Sequence, residues 1–289
     1  MSTDLSAMAF AARGIVSDLH LECSGFLNSP VDECPSSAAE AAFELGYACS
    51  LSSDSALLLL ETGLVWDADV LARSVAEGTL KHLYLLMGSR SEMEERSTEF
   101  LELVADFQSV TRLKRAQRLL GLVDDPEAAE WAPIREVVDV DLAPAQRGLR
   151  FNRSTRKRIE ARWSYGGLVE YFAGIPGLEA AVVLGYTYGM QSHLVHKDSN
   201  ATGMMYERDS RDPLRRDSAM LAHGARIVGD LLMMALGRAG TAAGVSSLSR
   251  DGLAAVQARA DALQDELAQS TALWHSIEYP GQPMPRDVR

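Results

Sequence analysis

Apolar side chains recur at helical spacing along almost the whole chain. Between residues 64 and 87 they lie three and four positions apart, as in Leu64, Ala68 and Leu71, which is typical of one face of a helix. Residues 91–120 form another such segment. The strict alternation of half-buried strands and the turn signals of hairpins are nearly absent. The pattern predicts an all-α protein, a single multi-helix bundle with short irregular connections.

Capping and stop signals indicate where helices begin and end. Ser37 and Glu40 stand in the order of a capping box, which predicts a helix start at that point. Gly88 is expected to end the helix over residues 64–87, because glycine tolerates the backbone angles found after a helix.

Later in the chain, helices are expected to begin near residue 154, near residue 177 and at Pro213. Residues 137–149 are the best candidate for irregular or extended chain.

The last helix is expected from about Ser249 to Trp274, and its apolar side chains follow a heptad-like order. This stripe predicts either internal packing or contact with a second copy or another helical protein through residues 253–274. Its members are Leu253, Val256, Ala260, Leu263, Leu267 and Trp274.

The length and composition are those of an ordinary globular protein. The chain has 289 residues, of which 47% are hydrophobic and 24% charged, enough for one large core. We expect residues 35–289 to form the main helical domain and residues 1–34 to form an N-terminal helical segment that packs loosely.

The cysteines and the apolar segments favour a cytoplasmic protein. The three cysteines lie in the first fifty residues and form no C-x-x-C pair, which fits a reducing compartment. The N-terminus lacks a basic region followed by a long apolar run. The most apolar later window, IVGDLLMMALG, contains Asp230 and is too short to cross a bilayer. No membrane association is expected.

Positive charge is concentrated in one segment. The net charge of −12 disfavours nucleic-acid binding over the whole surface. Residues 147–162, however, hold seven basic residues and one acidic residue, which indicates either a solvated helix start or a patch that faces phosphate. The candidate substrate-binding residues are Arg150, Arg153, Arg156, Lys157 and Arg158.

Two polar stripes interrupt the apolar pattern. Arg73, Glu77 and Lys81 lie four residues apart on the 64–87 helix, where charges are costly unless they are paired. They indicate either a structural ion-pair stripe or the wall of a polar pocket.

The second stripe is Tyr188, Ser192 and His196, which also lie four residues apart and share one face. His193 points away from that face, and a polar loop is expected from residue 199. An imidazole at the end of such a column can titrate near neutral pH, so the column is either a buried hydrogen-bonding group or a catalytic site.

These stripes resemble an uncharacterised bacterial helical family, a domain of unknown function. That family has R-x-x-x-E on a central helix, a Trp before a helix pair, and Y-x-x-x-S-x-x-x-H at the end of a helix. The resemblance covers roughly residues 50–205 and implies a helical fold with a shared polar site, without an established activity. The matching positions are Arg73, Glu77, Trp163, Tyr188, Ser192 and His196.

The chain is more distantly similar to HEPN-type helical proteins, many of which are ribonucleases of toxin–antitoxin and antiphage systems. Their signature, R-x(4–6)-H within one helix, occurs here at Arg216–His223 and at Arg13–His20. Two matches are close to the number expected by chance. Arg216 and His223 are the second candidate site.

Two functions of different class remain open. The first is a HEPN-like protein of bacterial defence, acting on RNA as a metal-independent ribonuclease. In it His196 serves as general acid or base, Arg73 stabilises phosphate charge and Glu77 orients Arg73. The second is a non-catalytic helical interaction or scaffold protein in which the stripes are buried networks.

Neither a cofactor nor a metal is expected. No glycine-rich dinucleotide loop, Walker A loop or G-x-S-x-G elbow is present. His193, His196 and Asp198 have a spacing that could ligate a metal together with Glu77, but no H-E-x-x-H motif accompanies them.

Overall fold

The computed structural model describes residues 4–178 and 181–283, and of residues 181–187 and 190 it describes the main chain alone. The protein is 82% helical, and within the described ranges no β-strand forms beyond a single bridge between Pro30 and Ser246. The predicted all-α class is confirmed. The helices are α1 (Leu5–Leu27), α2 (Ser36–Glu61), α3 (Val65–Leu86), α4 (Arg90–Thr98), a π-helical segment (Glu99–Val104), α5 (Ala105–Leu120), a 3₁₀ turn (Ala129–Trp131), α6 (Ala132–Leu149), α7 (Arg153–Arg162), α8 (Tyr165–Ala173), α9 (Ala181–His196), α10 (Ser199–Asp209), α11 (Pro213–Gly244) and α12 (Asp251–Glu278).

The main core lies among α1, α2, α3, α11 and α12. Alanine and glycine on the facing surfaces let these helices approach closely, because a larger side chain there would hold the backbones apart. Gly78 on α3 is the clearest case. A Cβ at Gly78 would meet the Cys49 sulfur of α2 at 2.4 Å, which no real pair of atoms tolerates.

The N-terminal segment does not pack loosely, contrary to our expectation for residues 1–34. Nine side chains of α1 are buried, with Leu19 and Phe26 almost inaccessible. α1 packs against α2, α11 and α12. α1 therefore belongs to the main core, together with α2, α11 and α12.

The apolar stripe of α12 packs inside the chain. Its members from Leu253 to Leu267 are all buried, and α12 contacts α11 and α1. A stripe covered by the chain's own helices cannot also meet a second subunit. The buried part of the stripe is therefore not available to a second copy or another helical protein, and the expectation of such a partner through residues 253–274 stays a prediction.

Two details of the predicted boundaries are wrong. α2 begins at Ser36 after Pro35, without a side-chain cap, because the Ser37 hydroxyl instead lies 2.9 Å from that of Ser97 on α4. Residues 137–149 are helical, as the second half of α6. By contrast, α3 does end before Gly88, whose φ of +117° suits glycine.

Ion pairs hold α6 to α5, and α6 itself buries only Asp141, Ala145 and Gly148. Asp141 of α6 accepts two hydrogen bonds from Arg112, each 2.8 Å long. Asp106 of α5 accepts two from Arg147, at 3.0 and 2.8 Å. The apolar part of this contact is a small separate cluster, Val110, Leu113 and Ala145. α5 and α6 thus form a hairpin beside the main core.

α11 is the one described helix whose length and hydropathy would suit a membrane span. Over half of its most apolar window, 56%, is buried within the protein, as in the central helix of a globular core. It also carries the buried Arg238, which is costly in a lipid environment. The expected cytoplasmic location stays a prediction.

Candidate functional site

The first predicted stripe meets the second at a single tyrosine. Arg73 Nη2 donates a 2.7 Å hydrogen bond to the hydroxyl of Tyr188, which in turn donates to Glu77 Oε2 at 3.3 Å. The guanidinium carbon of Arg73 lies 4.3 Å from the centre of the Tyr188 ring. Lys81 Nζ completes the row with a 2.6 Å bond to Glu77 Oε1. The four side chains form one connected network between α3 and α9.

An aromatic pair supports this network. The rings of Tyr165 and Tyr188 stack at 3.6 Å between centroids, with an angle of 10° between their planes. Burial raises the pKa of the Tyr165 phenol above its usual range, and the negative groups around it raise it further. Trp163 is buried nearby on the chain and donates a 3.0 Å bond to Glu99 Oε2, so it supports the core.

The remaining two members of the second stripe do not join the network. Ser192 is half-buried and His196 is exposed, and neither forms a hydrogen bond within the described residues. The predicted catalytic set of His196, Arg73, Glu77, Ser192 and Tyr188 is thus brought together only in part, as Arg73, Glu77 and Tyr188. α9 ends at His196, which places the imidazole at the surface.

A helix, and not the expected polar loop, follows His196. Lys197 adopts a left-handed φ of 49°, and α10 begins at Ser199. The Asp198 carboxylate caps α10 by accepting bonds from the main-chain N–H groups of Asn200 and Ala201. It also lies 2.5 Å from His193 Nδ1, and this hydrogen bond is the first cause that lowers the pKa of Asp198. His193 therefore fastens a tight helix–helix turn.

No cluster of three or more His, Cys, Asp or Glu side chains is placed to hold a metal ion within residues 4–178 and 181–283. The pairing of His193 with Asp198 leaves His196 outside, so these three residues do not converge as ligands.

A second polar network, centred on Asp69, surrounds His223. Asp69 is buried on α3 and accepts hydrogen bonds from Gln191 of α9 at 2.8 Å and from Arg226 of α11 at 3.1 Å. His223 Nε2 lies 2.8 Å from its other oxygen, and the His223 ring packs edge-on against Trp66.

The pKa values of the two carboxylates in this network, Asp69 and Asp230, shift in opposite directions. Burial alone would raise the pKa of Asp69, but the hydrogen bond from His223 and the charge of Arg226 bring it below the usual value. Arg226 also bonds Asp230 at 2.6 Å. Burial raises the pKa of Asp230, and the nearby charge of Asp69 adds to that effect. Two carboxylates therefore share one guanidinium.

The periodicity of α3 contains a signal for this network. Asp69 lies one turn before Arg73 and continues the row of Glu77 and Lys81 at the same spacing of four. Its partners Gln191 and Arg226 could not be found from the pattern, because they lie more than 120 residues away in the chain.

Arg216, the other half of the second candidate site, lies apart from His223. Its Nε donates a 2.8 Å bond to Asp217, and within the described residues no hydrogen bond links it to the imidazole. It lines a pocket of about 400 Å³ that also includes Trp66, Tyr206 and Arg208.

Six cationic side chains line a groove between α5 and α7, which has a volume of about 360 Å³. We call it the basic groove. Three of the five predicted substrate-binding residues line it, whereas Arg150 and Arg158 are exposed outside it. The rest of its charge comes from α5. Its six cations are Lys114, Arg115, Arg118, Arg153, Arg156 and Lys157.

None of these six side chains forms an ion pair with any residue that the structure describes. The single carboxylate on the wall is Glu160, and the buried Phe107 contributes apolar surface. Nε of Arg156 is buried without a hydrogen-bond partner. The groove therefore holds cationic side chains whose charge no described carboxylate neutralises.

Comparison of the chain with protein-family models, with curated proteins and with solved structures gave no match. The class of the protein rests on its own fold and sites: an all-α protein with two buried polar networks and a basic groove.

Proposed function

We propose that this protein binds RNA through the basic groove between α5 and α7. The observation that carries the proposal is the convergence of six unpaired cations in a chain whose net charge is −12. Arginines elsewhere, such as Arg112, Arg147 and Arg162, are paired with carboxylates. Cations that repel one another in a shared groove are stabilised when an anion enters it.

The arrangement of the cations suits a chain of phosphates. Lys114, Arg115 and Arg118 form one wall on α5, and Arg153, Arg156 and Lys157 form the other on α7. Two walls of charge can contact successive phosphates of one strand, and each contact releases bound counterions. Phe107 is buried, so it cannot stack on a base. We therefore expect binding with little sequence preference.

RNA is favoured over DNA by the resemblance to HEPN-type ribonucleases and not by the groove itself. The acidic remainder of the surface would repel nucleic acid and confine it to the groove. A role in bacterial defence also follows from that resemblance and not from the groove.

The proposal is tested by reversing charge inside and outside the groove. We expect the double variant Lys114→Glu/Arg118→Glu to weaken binding of a fluorescein-labelled single-stranded RNA at least about tenfold at 100 mM salt. The measurement is fluorescence anisotropy over a salt series. Loss of two phosphate contacts should also reduce the slope of log affinity against log salt by about two.

The matched control is Arg150→Glu/Arg158→Glu, which changes the net charge equally on the neighbouring exposed positions. It should weaken binding much less. Equal losses for both double variants, or no salt-dependent binding by the native protein, would contradict the groove as the binding site.

Cleavage of the bound RNA is a separate prediction. With His196 as the general acid or base, His196→Ala should lower the cleavage rate by about 10²–10⁴. The melting temperature should stay within a few degrees, because His196 is exposed at the end of α9. Cleavage is measured on gels with purified variants. Loss of cleavage in His223→Ala or Arg216→Ala, with His196→Ala still active, would move the catalytic site to the second candidate pair.

The non-catalytic alternative has its own support. The Arg73–Tyr188–Glu77–Lys81 row and the Asp69 network are connected internally, as expected of structural networks. If RNA binds in the groove and no variant or condition yields cleavage, a binding protein without catalysis is the better account.

A further inference from the structure

A pocket of about 220 Å³ opens between α3 and α11, away from the basic groove, and shares none of its residues. Its walls are apolar: small side chains of α3, Ala72 and Ala76, leave space that Leu80, Leu83, Met233 and Met234 border. Met233 is 59% exposed at the mouth, where a flexible side chain can adapt to a ligand.

The pocket contains the polar side chains of Thr79 and Tyr165 and, at the end next to the Asp69 network, those of Asp230 and Gln191. Oδ2 of Asp230 accepts the bond from Arg226, and no described residue bonds to Oδ1. Gln191 donates its amide N–H to Asp69, and this bond holds its side chain in place.

The positive charge of Arg238 lies behind the opposite end. Thr79 lines the pocket, and its hydroxyl oxygen accepts a hydrogen bond from the buried Arg238. The electrostatic potential therefore differs between the two ends of the pocket, with Arg238 behind Thr79 at one end and the carboxylate of Asp230 at the other. A ligand with a cationic group would place that group at Asp230.

The charges around Asp230 favour a cation at this end of the pocket. Asp69 and Asp230 share the guanidinium of Arg226, so this end carries an excess of negative charge over the arginine. An ammonium group beside Oδ1 would balance that excess in a partly desolvated site, where opposite charges attract more strongly than in water.

We propose that this pocket binds a small organic amine with a compact apolar body, with its ammonium group on Asp230. The volume equals the liquid volume of roughly seven waters, which suits a body of the size of a phenyl ring with a short chain. The site is independent of the RNA-binding proposal.

Gly237 allows the pocket to be filled without disturbing the fold. It lines the pocket, and a Cβ at this position meets no atom within 4 Å. Gly240, three residues later on α11, also has open space around its Cβ but does not line the pocket. Gly237→Leu and Gly240→Leu are therefore a matched pair, since both replace a helical glycine with the same better helix former.

The experiment follows the methyl signals of Met233 and Met234 by NMR in protein with ¹³C-labelled methionine methyl groups. Phenethylamine should shift them in a saturable way. 2-Phenylethanol, which has the same shape without the charge, should bind at least about tenfold more weakly, as expected when a charge-assisted hydrogen bond is lost. 3-Phenylpropionate should bind more weakly still.

The variants decide which group carries the binding. Gly237→Leu should abolish the phenethylamine shifts, and Gly240→Leu should keep them. Asp230→Asn should bring the affinities for the amine and the alcohol within about twofold of each other, which is close to no charge preference. Saturable binding that survives Gly237→Leu, equal binding of amine and carboxylate by the native protein, or no saturable shift would each overturn the proposal.

Discussion

His82 on α3 is an imidazole that the fold keeps uncharged. Its side chain is fully buried, with Nε2 3.7 Å from the Cys23 sulfur and Nδ1 without a hydrogen-bond partner among the described residues. Burial lowers its pKa to about 3, and the charge of Arg238 acts in the same direction. The folded protein therefore excludes a proton that the unfolded chain accepts.

This imidazole should make the protein sensitive to acid. The unfolded chain takes up the proton below about pH 6.5, whereas the folded state takes it up only near pH 3. The free energy of unfolding should thus fall between pH 6.5 and pH 3. At pH 4, protonation of His82 in the unfolded chain should lower the free energy of unfolding by about 3 kcal/mol relative to pH 7.

The measurement is urea denaturation of the native protein and of His82→Leu at both pH values. The variant should lose about 3 kcal/mol less between pH 7 and pH 4, because leucine has no proton to gain. Equal losses would mean that His82 is protonated in the folded state.

At the residue scale, the sequence predicted faces but not partners. The spacing of four correctly placed Arg73 and Glu77 on one face of α3 and Tyr188 on one face of α9. Asp69, with partners from three helices, escaped because pairing across a core depends on how the helices pack, which periodicity does not encode. His196 shares the face of Tyr188 on α9 but lies outside its network, because a shared helix face does not guarantee a shared environment; its catalytic role stays a prediction.

At the element scale, α12 offers a direct test of where its apolar stripe lies. Leu263 and Leu267 are 6% and 4% exposed within the chain. Leu263→Asp/Leu267→Asp should unfold the protein, because burying two carboxylates against apolar side chains costs more than the stability of a typical domain provides. The measurement is the helical circular dichroism signal during heating, which should show no cooperative unfolding transition in the double variant.

The control for α12 is Leu273→Asp, at a position 42% exposed on the same helix, which should leave the melting temperature nearly unchanged. Size-exclusion chromatography compares the native protein with the double variant. A native oligomer that becomes a folded monomer in the double variant would instead place the stripe in a contact between subunits.

The elements that the sequence missed are polar helices. α6 and α10 bury few side chains, and charged groups fix them: Asp141 and Arg147 hold α6 to α5, and Asp198 caps α10. Apolar periodicity is most informative for helices that bury one broad face in a core. Ion pairs and caps between distant residues are not visible in that pattern, and residues 137–149 were taken for irregular chain.

At the scale of the whole molecule, the cations of the basic groove lie outside the main core, although the same two helices, α5 and α7, place Phe107 and Ile159 in it. Lys114 and Arg118 are exposed, so their replacement leaves the packing of the core unchanged. Charge reversal in the groove can therefore be read as a change in binding. The charge segment at residues 147–162 was visible in the sequence, but its counterpart on α5 became recognisable only when the two helices were placed face to face.

The packing of α1 against α11 and α12 has a consequence for synthesis in the cell. Asp18 of α1 pairs with Arg259 of α12, 241 residues further along the chain. Of the helices that cover α1, only α2 is synthesised soon after it, and α11 and α12 follow much later. The core can therefore close only after α12 has been synthesised, and until then part of the apolar side of α1 is exposed to misfolding or aggregation.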